Sequence, residues 1–180
     1  MVALVEEDQS GIVLCVTGAE CTGKTTLAAS LAEAFHAPLV SEVARVYLEG
    51  RSGYTSNDVI GIAKAQLEAE QRALADGARV VIADTDLTVI QVWWEEKYGE
   101  LDPWLVEALQ NRTPRRYLIT RPDIPWEADP LRESPHDRER LHQRYLEILD
   151  AAPFPYFEVT GNGRERFTRA YYQVGRWMAG

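Results

Sequence analysis

The sequence predicts an α/β fold: a five-stranded parallel sheet with helices on both faces, of the P-loop NTPase kind, with an arginine-bearing lid. Three observations predict it. Short continuous apolar runs alternate with helix-period segments along the whole chain. The first apolar run leads directly into Gly18-Ala19-Glu20-Cys21-Thr22-Gly23-Lys24-Thr25, which matches G-x-x-x-x-G-K-[ST] in full. Acidic residues follow the second and third runs at once, as Glu42, Asp84 and Asp86.

Taken in order, Gly11–Val16 (G-I-V-L-C-V) reads as a strand buried on both faces. Lys24–Phe35 carries Leu27, Leu31, Ala34 and Phe35 at helical spacing. Pro38–Val40 predicts a short second strand and Ala44–Glu49 a helix that breaks at Gly50–Gly53. Ser56 or Asn57 is positioned to cap a long helix reaching Ala75, with Asp76-Gly77 as its stop. Arg79–Ala83 is a third strand, Leu87–Lys97 a helix, and Pro103–Leu109 a helix with proline in its first turn. Arg116–Thr120 reads as a fourth strand and Arg121–Pro135, rich in proline and charge, as a loop. Asp137–Asp150 is a helix, Tyr156–Val159 a fifth strand and Arg164–Met178 the last helix. No repeat, low-complexity tract or linker interrupts this pattern, so residues 1–180 are expected to form one P-loop kinase domain, with 1–10 a flexible start.

Bulk properties narrow the partners. The chain has 180 residues, 46% of them hydrophobic, enough for a core of its own. Its net charge of −9 argues against nucleic acid, which needs a basic face to displace counterions. Two cysteines, Cys15 and Cys21, make no disulfide framework and suit a reducing cytoplasm. Residues 1–10 lack the basic start and apolar stretch of a secretion signal. No run approaches the 18 or so apolar residues that span a membrane. The expected setting is therefore soluble and cytoplasmic, with oligomeric state left open.

The chemistry begins at Gly18–Thr25. Gly18 and Gly23 permit backbone angles costly to other residues. The loop then curls its amides inward, from Ala19, Glu20, Cys21 and Thr22 through Thr26, and the helix start adds its positive end. Lys24 is expected to reach the β- and γ-phosphates of ATP, and the Thr25 hydroxyl to ligate Mg²⁺. Cys21 reads as a small residue that fits, with only its backbone facing phosphate. Asp84, directly after a buried strand, suits Mg²⁺, bound directly or through water, or the orientation of an attacking hydroxyl. Asp86 suits either a helix cap or a functional role. Glu42 is placed to take a proton from a substrate hydroxyl, and Arg45, three residues on, shares its face. Arg121, Arg132, Arg138, Arg140 and Arg144 concentrate positive charge in an acidic protein. Of these, Arg132 and then Arg140 suit a lid over the γ-phosphate, whereas Arg138 and Arg144 suit a solvated helix face. Asn162, within Thr160–Gly163, stands where backbone borders an adenine edge or simply turns. Trp93, Trp94, Tyr98, Trp104 and Trp126 offer flat faces for a substrate ring.

The set G-A-E-C-T-G-K-T, S-E-V-A-R-V-Y-L, D-T-D and D-I-P-W-x-x-D-P-L-R resembles the ribosylnicotinamide kinase domain of bacterial NadR-type proteins. The resemblance runs from Ile12 to about Arg176. It implies transfer of the ATP γ-phosphate to the 5′-hydroxyl of nicotinamide riboside, giving nicotinamide mononucleotide. Glu42 and Arg45 match the family's E-x-x-R, and Asp58 an acid that contacts the ribose. Asp84 and Asp86 match D-T-D, Arg132 and Arg140 the lid arginines, and Trp126 the tryptophan before the lid. One position departs: Ser41 stands where some relatives have a tryptophan that stacks on the nicotinamide ring. Either Trp93, Trp94 or Tyr98 supplies the stack, or the substrate differs. Relatives often carry an adenylyltransferase domain ahead of the kinase; the eleven or so residues before the first strand here lead to the expectation that another protein takes the next step of NAD synthesis. The alternatives are a kinase of another nucleoside or nucleotide, and a nucleotide-dependent regulatory ATPase.

Overall fold

The computed structural model describes residues 11–127 and 136–179. Five strands form one sheet: β1 (Ile12–Thr17), β2 (Leu39–Val40), β3 (Val80–Asp84), β4 (Arg115–Thr120) and β5 (Tyr156–Val159). Their spatial order is β2-β3-β1-β4-β5, and every pair is parallel. β1 is therefore central, and the chain leaves it toward β3 on one side and β4 on the other. That reversal opens a crevice at the carboxyl ends of the strands, directly above Gly18.

Seven helices are described: α1 (Lys24–Phe35), α2 (Val43–Tyr47), α3 (Ser56–Ala75), α4 (Leu87–Tyr98), α5 (Pro103–Gln110), α6 (Arg138–Ala151) and α7 (Gly163–Met178). Alternation along the strands divides the core. Leu14, Val16, Ile82 and Leu118 face α1 and α7, where Leu27, Leu31, Ala170 and Val174 pack on them. Val13, Cys15, Val81, Tyr117 and Ile119 face the opposite layer, with Val92, Leu141, Tyr145 and Leu149. A third cluster, including Val59, Ile62, Leu87, Ile90, Trp94 and Leu105, joins α3, α4 and α5 beyond the sheet. Pleated strands buried on both faces explain why the sequence shows continuous apolar runs rather than alternation.

The predicted elements are all present, with boundaries shifted by a few residues. α3 is capped by Thr55, not by Ser56 or Asn57. The Thr55 hydroxyl accepts from Asp58 N, and the Asp58 carboxylate accepts from Thr55 N at 2.8 Å. β3 runs on to include Asp84, so this acid lies inside the sheet edge and is 2% exposed rather than solvated. Among the described residues no helix is long and apolar enough to cross a membrane.

Candidate active site

The phosphate loop follows from β1 and the residues that crowd it. Gly18 takes φ 131°, and a Cβ there would fall 2.8 Å from the Thr120 carbonyl oxygen on β4. Only glycine fits both the angle and the space. Gly23 opens α1 at φ 76°. The Thr22 hydroxyl donates to Ala19 O at 2.8 Å and lies 2.6 Å from the Thr120 hydroxyl, fixing the loop to β4. Lys24 Nζ donates to Ala19 O at 2.8 Å.

Gly18, Ala19, Glu20, Cys21, Thr22, Gly23, Lys24, Thr25 and Thr26 all line one cavity of about 860 Å³. Glu42 and Arg45 line it from α2, and their side chains pair at 3.1 Å, as the i, i+3 spacing predicts. Asp84 stands at the end of β3 beside Thr25, just behind the cavity lining. Burial pushes its carboxyl above the usual carboxylate range; the nearby Glu42 adds to this, while Thr25 and Lys24 oppose it. Asp84 Oδ1 is buried without a hydrogen-bond partner among the described residues. An orphaned carboxylate oxygen beside a threonine hydroxyl is a hard oxygen pair, and it fits Mg²⁺.

The two acids of D-T-D part company. Thr85 between them takes φ 70°, a strained angle for a β-branched residue. Asp84 stays beside Thr25 and Lys24, whereas Asp86 enters a buried cluster. Asp86 accepts from Thr88 N (2.8 Å), Arg115 Nη1 (2.7 Å) and the Tyr117 hydroxyl (2.7 Å), with Arg112 at 3.5 Å. Burial opposes ionisation there, but Arg115, Arg112 and these hydrogen bonds hold the carboxyl below its ordinary range. Asp86 is buried yet borders the cavity, and its carboxylate serves as the cap of α4 and as the centre of this ion cluster.

Other expected contacts are redirected too. The Asp58 carboxylate is taken by Thr55 and, at 2.8 Å, by Arg51, which together lower its pKa; Asp58 does not line the cavity, though Arg51 does. Tyr98 packs on Trp94 at 4.9 Å between ring centroids, away from the cavity. Trp126 lies under the Arg138 guanidinium, 5.7 Å from its ring centroid, and is not a lining residue. Arg140 makes a two-pronged pair with Glu96 of α4, at 2.8 and 2.6 Å, and does not line the cavity. Asn162 begins α7, its carbonyl accepting from Glu165 N and Arg166 N, also outside the lining. Arg132 lies outside the described residues.

Several participants carry no local signal in the sequence. Arg138, expected on a solvated face, donates to Cys21 O (3.2 Å) and Ile124 O (2.9 Å), tying α6 to the phosphate loop. Arg166, 4% exposed, donates to Thr22 O, Asp123, Arg121 O (3.0 Å) and Gly161 O (2.7 Å), bracing the loop from behind. The Cys21 sulfur, more than a spacer, accepts from Glu127 N at 3.1 Å. Within the cavity lining, Tyr54 and Trp93 meet edge to face at 4.8 Å, and Trp93 Nε1 donates to the Tyr54 hydroxyl at 2.8 Å. Of the three aromatic residues offered as a stack, Trp93 alone lines the cavity; Trp94 is buried in the third core cluster.

The family model described as an AAA domain matches residues 13–166. The trifunctional NAD biosynthesis/regulator protein NadR of Escherichia coli (strain K12) is 25% identical over 175 residues, covering 92% of this chain and 42% of that protein. The crystal structure of NadR protein in complex with NR superimposes with a TM-score of 0.80 at 22% identity, covering 95% of this chain and 52% of that one. Deoxyadenosine kinase from M. mycoides with bound dATP superimposes with a TM-score of 0.63 at 15% identity, covering 91% and 98%. The chain thus spans about two fifths of the curated relative and about half of that NadR chain. Its fold is a kinase-like P-loop fold related to NadR and to nucleoside kinases.

Proposed function

The chain belongs to the AAA domain family, and from that premise we propose that it is an ATP-dependent kinase that phosphorylates the 5′-hydroxyl of nicotinamide riboside. The observation that carries this reading is a single cavity bordered by phosphate loop, carboxylates and aromatic pair. Lys24 and Thr25, Glu42, and Tyr54 with Trp93 all line it. That set suits a triphosphate, a hydroxyl to be deprotonated and a flat ring.

In this reading the loop amides and Lys24 bind the β- and γ-phosphates and stabilise charge on the transferring group. Glu42 accepts the proton of the acceptor hydroxyl, and Arg45 holds the Glu42 carboxylate in place. Thr25 and Asp84 would hold Mg²⁺, which when bound neutralises charge on the phosphate oxygens. Asp84, raised by burial, favours its charged form once a cation stands beside it. The cavity walls from Ile124, Pro125 and Tyr145 limit water, which would otherwise compete with the acceptor for the phosphoryl group. Ser41 in place of a stacking tryptophan favours one second reading, a kinase of a different nucleoside.

The deciding experiment is release of ADP from ATP-Mg²⁺ with a nucleoside panel that includes nicotinamide riboside, each against an acceptor-free blank. Stimulation by nicotinamide riboside alone is the expected result. Stimulation by another nucleoside in its place transfers the mechanism to that acceptor. ATP turnover indifferent to every acceptor leaves the kinase reading without support.

A further inference from the structure

We infer that Gln66 is a positioning residue that sets the distance between the proton-accepting and cation-holding carboxylates, a proposal that rests on the roles given above to Glu42 and Asp84. Gln66 stands in the middle of α3, 2% exposed, and borders the cavity. Its amide is used at both ends. The Oε1 atom accepts from Val43 N at 3.1 Å, and the Nε2 atom donates to Thr85 O at 3.3 Å. Val43 is the first residue of α2, and Glu42 is its N-cap. Thr85 is the residue between Asp84 and Asp86. One side chain therefore joins the Glu42–Val43 peptide to the Thr85–Asp86 peptide, and so holds the residue that directly follows Asp84.

Both joined peptides need holding. α2 has five residues and no fully buried side chain, so its backbone needs an anchor from outside; Arg45 pairs with the Glu42 carboxylate, and Gln66 fixes the peptide that follows Glu42. Thr85 sits at φ 70°, where a β-branched residue stays only if its surroundings over-determine it. Its N–H is bonded to Val16 O at 3.0 Å, and Gln66 takes its carbonyl. One helical turn further on, Glu70 accepts from Arg115 Nη2 at 3.3 Å, and Arg115 in turn bonds Asp86. α3 thus addresses Thr85 and Asp86 through Gln66 and Glu70, which share a face at i, i+4 spacing. A buried amide satisfied at both ends has one orientation, and losing it leaves Val43 N–H and Thr85 C=O without partners in an enclosed site.

The test uses the full chain with Gln66→Leu, which deletes both bonds at similar volume, and Gln66→Glu, which keeps an acceptor for Val43 N–H and loses the donor to Thr85 O. With the best acceptor of the nucleoside panel, Gln66→Leu is expected to lower kcat about tenfold or more, because an ångström of misplacement acts on the transition state. Gln66→Glu is expected to fall between the two proteins. Calorimetric titration with ATP alone should give one affinity for all three, whereas the gain in affinity on adding Mg²⁺ should shrink in Gln66→Leu. An unchanged kcat, or an equal loss of ATP affinity with and without Mg²⁺, would overturn the proposal, the second outcome marking Gln66 as core packing. A native protein inert toward every nucleoside defeats the kinase reading alone, and the two titrations then decide the role of Gln66. If Gln66→Leu does not fold, Gln66→Glu decides on the same criteria.

Discussion

Lys24 donates to the neutral carbonyl of Ala19, a bond that a triphosphate displaces at small cost because a phosphate oxygen is the stronger acceptor. Lys24→Ala removes the one mobile cation of the loop, and transfer in the ADP-release assay is expected to fall to the blank. Glu42→Gln keeps size and hydrogen bonding but not basicity. It is expected to lower kcat about a hundredfold, in the range of general-base catalysis, while ATP affinity measured by titration stays within about twofold. An unchanged kcat in that variant would remove Glu42 from the base role. At this scale the phosphate loop was legible because its chemistry is contiguous: eight residues carry the turn, the donors and the cation. The Asp84/Asp86 pair was half legible. Strand period puts i and i+2 on one face, and only the left-handed Thr85, for which a threonine gives no warning, turns the two apart. Gln66 and Arg166 were invisible, since a glutamine or arginine within a helix is ordinary until the fold shows what it reaches.

α4 shows why element-level reading reached a different limit. Its existence and length were plain from spacing, but it is wetted and buried on faces that the sequence labels with the same residue types. Trp93 and Lys97 turn toward the cavity, while Trp94 and Tyr98, one position later, turn toward the third core cluster and its rim. Aromatic side chains satisfy either face, so helical period alone does not choose between them. The consequence is measurable. Trp93→Ala is expected to raise the acceptor KM about tenfold, in keeping with the worth of an aromatic contact, and Tyr98→Ala to leave it within about twofold. Equal effects from both variants would place the ring elsewhere. Arg138 and Arg140 were not separable for a related reason: the sequence ranks them by neighbours along the chain, whereas their partners in space, Cys21 and Glu96, set them apart.

For the molecule as a whole, the parallel sheet and its helical layers were legible throughout, because alternating runs permit few topologies. The buried ion cluster beneath it was not. Glu70 lies there with one oxygen on Arg115 and the other without a hydrogen-bond partner among the described residues. Burial lifts its carboxyl to about 7, assisted by the negative Asp86 and opposed by Arg115. An acid whose pKa is higher folded than unfolded binds its proton more tightly in the native state. Its contribution to stability is therefore present below the unfolded value and is lost as pH rises through about 7. Glu70→Gln, neutral at every pH and still able to accept from Arg115, is expected to flatten the dependence of Tm on pH between about 5 and 8. A slope matching that of the native protein would show that Glu70 does not titrate in this range.

The ties between α6 and α4 carry a different consequence. Arg140 with Glu96 and Arg144 with Glu95 are partly exposed pairs that join these two helices outside the buried contact of Val92 with Leu141 and Tyr145. Charges in contact with water are screened by dissolved ions over about 10 Å at 0.1 M. Asp84, by contrast, is enclosed and feels little of this. In the kinase reading, added potassium chloride therefore acts first on the ties between α4 and α6 and is expected to raise the KM of the acceptor.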